Sequence, residues 1–426
     1  MILNALVFPC GSEIGLEIHA ALKYSKVVRV HGASSVSDHG EFVYARYRQI
    51  DAHVASTDFI EQLNQLIDEW KIDIVLPAHD SVIPVLAQHH SKLRAAAMVP
   101  DAETAALCRN KNLAYARLRP LGIVPADIDS ATPGYPIFAK PAVGQGSQGA
   151  ERVDNAARHR QLRDSPIEYV FSEYLPGAEY TVDCISDHAG ALLHAAPRVR
   201  SRIKGGISVR TEPVATDPSI DAMAASIAAE LRLRGAWFFQ ARRDAQGVPK
   251  LLEVAPRIAG SMGLSRNLGV NYPLLSIYAH LSMPFSVCAQ NYPIQMDRAL
   301  HSRFRTGLRY ERVYLDLDDT LIIDDRVNPL LMALLYQWSN RGVRVSLITR
   351  HAHCPRQTLA HYRISAELFD EILHIEDGAP KSRYVTHTKG ALFIDDSYRE
   401  RCDVLDTHGI PVFDVDAIEQ LLEWRA

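Results

Sequence analysis

The feature that most constrains this chain is a pair of aspartates directly behind a short buried strand. Residues 313–315 are apolar, and Asp316 and Asp318 follow them. Because side chains alternate along an extended chain, carboxylates two positions apart emerge on one side of the strand end. One can attack a phosphorus atom while the other moves a proton, and both can help to hold Mg2+. The segment predicts a phosphoryl-transfer site, with an acidic turn as the alternative interpretation.

Two further strands end in polar side chains suited to the same chemistry. An apolar run at residues 343–348 ends at Thr349, and a later one ends at Asp395 and Asp396, with Lys381 between them. In open α/β sheets, ligands bind at the carboxyl ends of the strands. We therefore expect these side chains to meet the aspartate pair at one edge of a sheet.

In order and residue type, these positions resemble the haloacid dehalogenase (HAD) superfamily of phosphatases. The resemblance implies a nucleophile at Asp316, an acid or base at Asp318, and phosphoryl-binding roles for Thr349 and Lys381. The Mg2+ ligands that it implies are Asp316, Asp318, Asp395 and Asp396.

The spacing of these residues restricts the architecture of this region. Thr349 lies 33 positions after Asp316, and Lys381 lies 32 positions after Thr349. Each interval has room for about one helix and one strand, which leaves no space for an inserted lid domain. We therefore expect a Rossmann-like HAD domain without a cap over residues 310–426.

Composition limits the class of protein. The 426 residues exceed one hydrophobic core and suggest two or three domains. A net charge of −4 argues against a nucleic-acid-binding surface. No apolar run reaches membrane-spanning length, and the N-terminus lacks the charged leader of a signal peptide. The six cysteines are scattered without paired spacing, so we expect reduced thiols in a cytoplasmic protein.

Residues 1–105 alternate between strand and helix patterns. Apolar strands are predicted at residues 2–8, 27–30 and 72–76, and a helix is predicted at 58–70. This alternation predicts a small parallel βαβ sheet. Gly11 and Gly15 favour a simple strand-to-helix turn, because the rest of the dinucleotide fingerprint is absent. His79 and Asp80 lie at the carboxyl end of the third strand, where side chains can contact a substrate, but the favoured interpretation is a solvated loop.

The middle of the chain contains candidate nucleotide-binding residues. Lys140 lies on a strand predicted at residues 135–141, ahead of a loop with three glycines whose backbone can close around phosphate oxygens. Farther on, Glu173 and Glu179 flank a Pro-Gly break between two predicted strands. One carboxylate there can accept from an adenine amino group, and the other can bind ribose hydroxyls.

A predicted hairpin supplies a candidate metal site. Apolar strands at residues 236–241 and 251–255 are joined by a turn-forming segment. Symmetric pairing places Gln240 directly opposite Glu253, with both side chains on one face. An amide oxygen beside a carboxylate is a plausible Mg2+ seat. Arg257, just beyond, can neutralise phosphate.

Together these elements resemble the ATP-grasp superfamily, closest to its carbamoyl-phosphate-synthase-like and carboxylate–amine ligase branches. The resemblance implies a pre-ATP-grasp α/β domain at residues 1–105 and an ATP-grasp domain at 106–300, with ATP and Mg2+ as cofactors. The residues that it implies for ATP are Lys111, Lys140, Gly144, Gly146, Ser147, Glu173 and Glu179. It implies Mg2+ ligands at Gln240 and Glu253 and a catalytic Arg257 that faces the transferred phosphoryl group.

One position departs from this family. Ala255 stands where the family usually has Asn, on the same face as Glu253, so one metal ligand is missing. Either a water replaces it, since Mg2+ often keeps several waters, or the site binds ATP and turns over poorly.

A basic segment supplies the substrate candidates. Its cations surround a glycine pair with no acid among them, and those proposed to contact substrate are Arg198, Arg202, Lys204 and Arg210. The segment is either an exposed basic strand and turn or the lining of an acceptor site, where paired donors bind a carboxylate or a phosphorylated substrate.

The sequence thus predicts a multidomain protein of the α/β and α+β classes with a linker near residues 301–310. We expect ATP to phosphorylate a carboxylic acid, an amine to form the amide, and the HAD domain to dephosphorylate a phosphorylated substrate or product. The alternatives are an HAD phosphatase with a weak ATP-binding regulatory module, and a small-molecule kinase. The expected partners are small molecules, with neither nucleic acid nor membrane. Whether one substrate is phosphorylated, and whether the chain forms a homo-oligomer, are left open.

Overall fold

The chain divides into two compact units, residues 1–300 and His301–Arg425. The computed structural model describes residues 2–128, 134–144, 146, 148–205, 207–215 and 217–423. All six cysteines are free thiols, as predicted. Within the described ranges, no helix combines the length and apolarity needed to cross a membrane.

A five-stranded sheet opens the first unit. Its strands are β1 (Leu3–Phe8), β2 (Val28–Ser34), β3 (Tyr47–Gln49), β4 (Ile74–Pro77) and β5 (Ala96–Ala97). The helices of this region are α1 (Glu13–Leu22), α2 (Phe59–Trp70), α3 (Val82–Gln88), α4 (Ala102–Arg109) and α5 (Lys111–Leu118). The strands are parallel, in the order β3-β2-β1-β4-β5, which confirms the predicted βαβ sheet. Strand β2 extends past its predicted end at Val30 because residues 32–34 also pair with β3.

The turn from β1 into α1 is closed by side chains of the protein itself. The Asp38 carboxylate accepts a hydrogen bond from the Gly11 amide at 3.0 Å, and the Ser12 hydroxyl accepts one from the Gly15 amide at 3.0 Å. A Cβ atom at Gly11 would lie 2.1 Å from Cγ of Asp38. An amide that a phosphate would need is therefore already bound to a carboxylate, which agrees with the prediction of a simple turn.

Two antiparallel sheets complete the first unit. The smaller contains β6 (Ile137–Pro141), β7 (Glu151–Val153) and β8 (Tyr169–Glu173) in the order β7-β6-β8, with α6 (Ala156–Arg163) after β7. The strands of the larger are β9 (Glu179–Ser186), β10 (Leu192–Lys204), β11 (Ile207–Pro213), β12 (Gly235–Arg243), β13 (Pro249–Ala255) and β14 (Met296–Asp297). They lie in the order β13-β12-β9-β10-β11-β14. The accompanying helices are α7 (Pro218–Leu231), α8 (Gly263–Asn267) and α9 (Tyr272–His280).

The register of the β12–β13 hairpin places the predicted metal residues side by side. Gln240 is paired with Glu253 and Phe238 with Ala255, as symmetric pairing predicts. A bulge after Gln240 shifts the remaining pairs by one residue. The parallel sheet and the six-stranded sheet share one hydrophobic core around α9, which includes Val7, Phe238 and Tyr272.

The second unit is built on one parallel sheet. Its strands, in chain order, are β15 (Arg312–Leu315), β16 (Ile322–Ile323), β17 (Arg326–Val327), β18 (Arg344–Thr349), β19 (Glu371–His374), β20 (Ala391–Ile394) and β21 (Val412–Phe413). The helices are α10 (Pro329–Arg341), α11 (Pro355–His361) and α12 (Tyr398–His408). The sheet order is β19-β18-β15-β20-β21, and β16 and β17 form a separate hairpin. Between Asp316 and Lys381, all of which is described, no inserted domain is present, as the spacing predicts.

Candidate functional site

The predicted nucleotide residues line a cleft between the two antiparallel sheets of the first unit. The cleft has a volume of about 1090 Å3 and is open to solvent. The predicted residues in its walls are Lys111, Lys140, Gly144, Gly146, Glu173, Glu179, Gln240 and Glu253. Ser147, the remaining member of the predicted set, lies outside the described residues.

Lys140 of β6 is a buried cation whose hydrogen-bond acceptors are both neutral. Its side chain is 6% exposed, and Nζ donates to the Tyr115 hydroxyl at 2.5 Å and to the Leu252 carbonyl at 2.8 Å. Burial lowers the pKa of Lys140 to about 7, although the nearby Glu253 carboxylate opposes this shift. An anion bound in the cleft would therefore restore the charge that burial disfavours.

Lys111 enters the cleft from the first turn of α5. The Asn110 side chain caps this helix through the Asn112 amide at 2.9 Å, and the Lys111 amide donates to the Ala142 carbonyl at 2.9 Å. These contacts fasten the start of α5 to the end of β6. Burial lowers the pKa of Lys111, with the Glu253 carboxylate opposing and the Arg109 guanidinium adding to the shift.

Gln240 and Glu253 bring two oxygen donors to the same wall of the cleft. They are paired across β12 and β13, and both line the cavity. Hard oxygen donors of this kind fit Mg2+, which completes its octahedron with waters and substrate phosphates. Ala255, two positions after Glu253, contributes no ligand and is buried.

The two glutamates at the far end of the cleft already have protein partners. Glu173 accepts a hydrogen bond from the Ala126 amide at 2.8 Å through Oε1. Glu179 forms an ion pair with Arg200 at 3.1 Å. These contacts hold both carboxylates in place at the cavity wall.

A second pocket adjoins the cleft and shares Lys111 and Glu253 with it. Arg257 lies in this pocket, and its Nε and Nη2 donate to the two Asp80 oxygens at 2.6 and 2.8 Å. Burial acts to raise the pKa of Asp80, but Arg257, with smaller contributions from Arg109 and His79, lowers it below its usual value. The prediction of a solvated loop at Asp80 was wrong, because the shared core brings the end of β4 against the end of β13.

Arg109 is the third cation of this pocket, beside Lys111 and Arg257. Among the described residues it forms no ion pair, and its one hydrogen bond is to the Gly144 carbonyl at 3.4 Å. Its charge acts on the neighbouring Asp80 and Lys111, lowering the pKa of each. The pocket thus gathers three cations and two carboxylates, those of Asp80 and Glu253.

The basic segment is more neutral than its sequence indicates. Arg198 is 2% exposed and makes a two-point ion pair with Asp183 on the neighbouring β9, so the structure does not bring its charge to a cleft, contrary to the expectation. Arg202 and Arg210 both bind Asp297 of β14 at 2.6 Å. Lys204 is exposed. The acids lie on the neighbouring strand β9 and on β14, outside the segment itself, which is why the segment shows none.

The second unit gathers an acidic cluster at the carboxyl ends of β15 and β20. Asp316, Asp395 and Asp396 each offer an oxygen, and these three oxygens lie within 4.8 Å of one another. Lys381 Nζ is 2.6 Å from Asp316 and 2.6 Å from Asp395. Burial raises the pKa of Asp316, and the Lys381 charge opposes this shift. Three converging carboxylates fit a hard divalent cation.

Asp318 stands apart from this cluster, although the sequence predicts it as a metal ligand. Its side chain is 50% exposed, and its oxygens lie 2.8 and 3.1 Å from Nδ1 of His351. The alternation that would put it beside Asp316 requires an extended chain, but β15 ends at Leu315 and the chain turns at Asp319, where φ is +54°. Thr349 donates to Asp318 at 3.4 Å, so this predicted phosphate-binding hydroxyl contacts the second aspartate.

Comparison with known proteins adds independent information on the first unit. Residues 166–300 match a family model described as ATP-grasp in the biosynthetic pathway with Ter operon. No curated protein sequence matches the chain. An L-amino acid ligase structure from Bacillus licheniformis is similar at TM-score 0.54 and 19% identity, covering 65% of this chain and 74% of that one. The first unit has an ATP-grasp fold.

Other ATP-grasp-like structures are similar to the same degree. The ADP complex of an N5-carboxyaminoimidazole ribonucleotide synthetase has TM-score 0.56 and 16% identity, covering 70% of this chain and 82% of that one. The biotin carboxylase domain of Hydrogenobacter thermophilus 2-oxoglutarate carboxylase, solved with MgADP and bicarbonate, has TM-score 0.54 and 14% identity, covering 67% and 72%. Both structures contain ADP, and the second also contains Mg2+, which agrees with the prediction of ATP and Mg2+ as cofactors.

Several contacts in these sites were missed by sequence reasoning. Tyr115 lies four residues after Lys111, one helical turn away, and that spacing could have flagged it as a neighbour of the two lysines predicted to bind phosphate. The position of Asp80 beyond the carboxyl end of a parallel strand was noted, but its pairing with Arg257 had no signal in the sequence. Thr320, whose hydroxyl accepts from the Asp396 amide at 3.0 Å, directly follows the aspartate run. His351 had no local signal, because its partner Asp318 is far away in sequence.

Proposed function

We propose that the first unit is an ATP-dependent carboxylate–amine ligase that works through an acyl phosphate. A carboxylate oxygen of the acid attacks the γ-phosphorus of ATP, the bond to the bridging oxygen breaks, and ADP leaves. The amine nitrogen then attacks the acyl carbon and gives up a proton to solvent, the bond from the acyl carbon to the phosphate oxygen breaks, and inorganic phosphate leaves. The observation that carries this proposal is the convergence of Lys111, Lys140 and the Gln240–Glu253 pair in one cleft.

In this proposal the cleft binds Mg2+-ATP. Lys111 and Lys140 hold the phosphates, whose charge compensates two lysines that burial makes easier to deprotonate. The loop with Gly144 and Gly146 covers the phosphates, while Glu173 and Glu179 bind adenine and ribose. Gln240 and Glu253 would hold Mg2+, which supplies charge neutralisation at the transferred phosphoryl group.

The carboxylic acid is expected in the adjoining pocket. A ligand there lies next to Glu253 and Lys111, which also line the nucleotide cleft. Arg109 supplies a cation without an ion-pair partner among the described residues, so it suits a carboxylate. Arg257, held rigidly by Asp80, faces the transferred phosphoryl group in this arrangement. Rigid cations of this kind stabilise charge that develops during phosphoryl transfer.

We further propose that residues 310–426 form a Mg2+-dependent HAD-type phosphatase. Asp316 is the nucleophile, and Asp318 is the acid and base. Lys381 and Thr349 hold the phosphoryl group, and Asp316, Asp395 and Asp396 would hold Mg2+. The meeting of these side chains at the carboxyl ends of parallel strands supports the proposal. Its substrate would be a phosphorylated substrate or product of the ligase.

We also propose that the first 300 residues consist of two domains, a pre-ATP-grasp domain and an ATP-grasp domain, with the boundary at about residue 105.

The test is an ADP-release screen of Asp316→Asn with Mg2+-ATP against pooled amino acids, other small carboxylates and amines. This substitution silences the phosphatase, so any phosphorylated product survives for mass spectrometry. Substrate-dependent ADP with a condensed product, formed by loss of water, supports the ligase. A product that gains only phosphate would support a kinase. ATP binding without turnover in any pool would favour a regulatory ATP module and point to Ala255 as the cause.

A further inference from the structure

A histidine with no part in the proposed chemistry contacts the second aspartate of the phosphatase site. Nδ1 of His351 lies 2.8 Å from Oδ1 and 3.1 Å from Oδ2 of Asp318. The His351 side chain is only 15% exposed, whereas that of Asp318 is 50% exposed. A buried ring thus contacts both oxygens of a half-exposed carboxyl group.

His351 is held in place independently of Asp318. Its Nε2 lies 2.7 Å from the Thr358 hydroxyl on α11. Its backbone amide donates to the Thr349 hydroxyl at 3.1 Å, and its carbonyl accepts from Nε2 of His374 at 2.7 Å. Because a carboxylate oxygen can only accept, Nδ1 of His351 donates to Asp318, and the Thr358 hydroxyl can then donate to Nε2. The Nδ1–H group that donates to Asp318 is therefore held in a fixed direction.

Asp318 needs such a restraint because the backbone around it is irregular. It follows the end of β15, precedes a residue with φ of +54°, and makes only one isolated bridge, to Ile322. A half-exposed carboxyl on a turn samples several rotamers, and catalysis by proton transfer loses efficiency when the donor is misplaced. The weak 3.4 Å contact from Thr349 is its other restraint among the contacts described.

We propose that His351 is a positioning residue that holds the Asp318 carboxyl where it delivers a proton to the leaving-group oxygen. This inference rests on the proposed phosphatase. An Asp316 oxygen bonds to phosphorus, the bond from phosphorus to the alcohol oxygen breaks, and that oxygen takes the Asp318 proton. In the second step a water oxygen bonds to phosphorus, the bond to Asp316 breaks, and Asp318 takes the water proton. His351 donates one hydrogen bond throughout and neither gains nor loses a proton.

The test is the leaving-group dependence of His351→Ala on a series of aryl phosphates of similar size. A basic phenoxide, as from 4-methoxyphenyl phosphate, needs protonation as it leaves, while 4-nitrophenoxide departs without it. We expect kcat/KM of the variant to fall about 10- to 100-fold for the basic leaving group and less than about 3-fold for 4-nitrophenyl phosphate. The wild type should show a shallow dependence across the series.

The matched control is His351→Asn, whose side-chain amide keeps an N–H donor near the position of Nδ1. Both variants retain the backbone contacts with Thr349 and His374. We expect His351→Asn to recover most of the lost activity on the basic leaving group. A uniform loss across the series, equal in both variants, would show a purely structural role and overturn the inference. Unchanged kcat/KM values for His351→Ala would also overturn the inference. A wild-type protein inactive on the whole series would instead count against the proposed phosphatase activity on which the inference depends.

Discussion

Nucleotide binding to the first unit should take up a proton, because Lys140 is mostly neutral in the empty cleft above neutral pH. With a pKa of about 7, about nine-tenths of Lys140 is deprotonated at pH 8. A phosphate charge at about 4 Å contributes about 4 kcal/mol at an effective dielectric constant near 20. That energy raises the pKa of the bound lysine by about three, to about 10. Binding at pH 8 should therefore take up about 0.9 proton per nucleotide.

The assay is isothermal titration calorimetry with ADP and EDTA at pH 8, in buffers that differ in ionisation enthalpy. The dependence of the observed enthalpy on the buffer enthalpy measures the protons taken up. Free nucleotide phosphates titrate near pH 6 and contribute little at this pH. Lys140→Arg is the matched control, because its guanidinium stays protonated. Wild-type uptake near zero, or equal uptake in wild type and variant, would refute this reasoning.

Three further predictions concern the stability and the metal site of the first unit. Because burial lowers the pKa of Lys140 from 10.5 to about 7, its cost to folding is full below pH 7 and fades as pH rises towards 10.5. Lys140→Met should therefore raise the apoprotein's unfolding free energy, measured by urea denaturation, by about 1–3 kcal/mol at pH 7 and by less at pH 10. A gain that grew with pH would contradict this prediction. Ala255→Asn adds an oxygen on the face of Glu253, so it should lower the Mg2+ concentration needed for half-maximal ADP release several-fold. An unchanged Mg2+ titration would refute this prediction. Arg198→Met should lower the unfolding free energy measured in urea by about 3–5 kcal/mol, because it leaves Asp183 buried and unpaired. Adding Asp183→Asn to the same chain should recover part of the loss. An Arg198→Met variant as stable as the wild type would contradict a structural role for this ion pair.

Residues close together in sequence were predicted well, because local periodicity and turn chemistry decide them. The pairing of Gln240 with Glu253 followed from a short turn between two apolar strands, since a tight hairpin leaves few registers open. The parallel sheets followed from strands alternating with helices. The absence of an inserted domain between Asp316 and Lys381 followed from chain length alone.

Charge partners were predicted poorly, because strand order and core packing decide them. Arg257 meets Asp80, which lies 177 positions earlier, only because two sheets share one core. Arg198 is neutralised by Asp183 of the adjacent β9, so a segment basic in sequence offers less free charge than expected.

Short strands such as β3, β5 and β7 were not predicted from the sequence. The sequence by itself determined the main apolar strands, the Gln240–Glu253 register and the order of the chemical groups along the chain. Each of these depends on contacts between near neighbours. Only the tertiary structure shows that Asp318 lies outside the carboxylate cluster and contacts His351. That outcome depends on where β15 ends and on the neighbouring strand β18, which places His351 two residues beyond its own end. A side chain's charge partner is set by the distant elements that the packed core brings next to it.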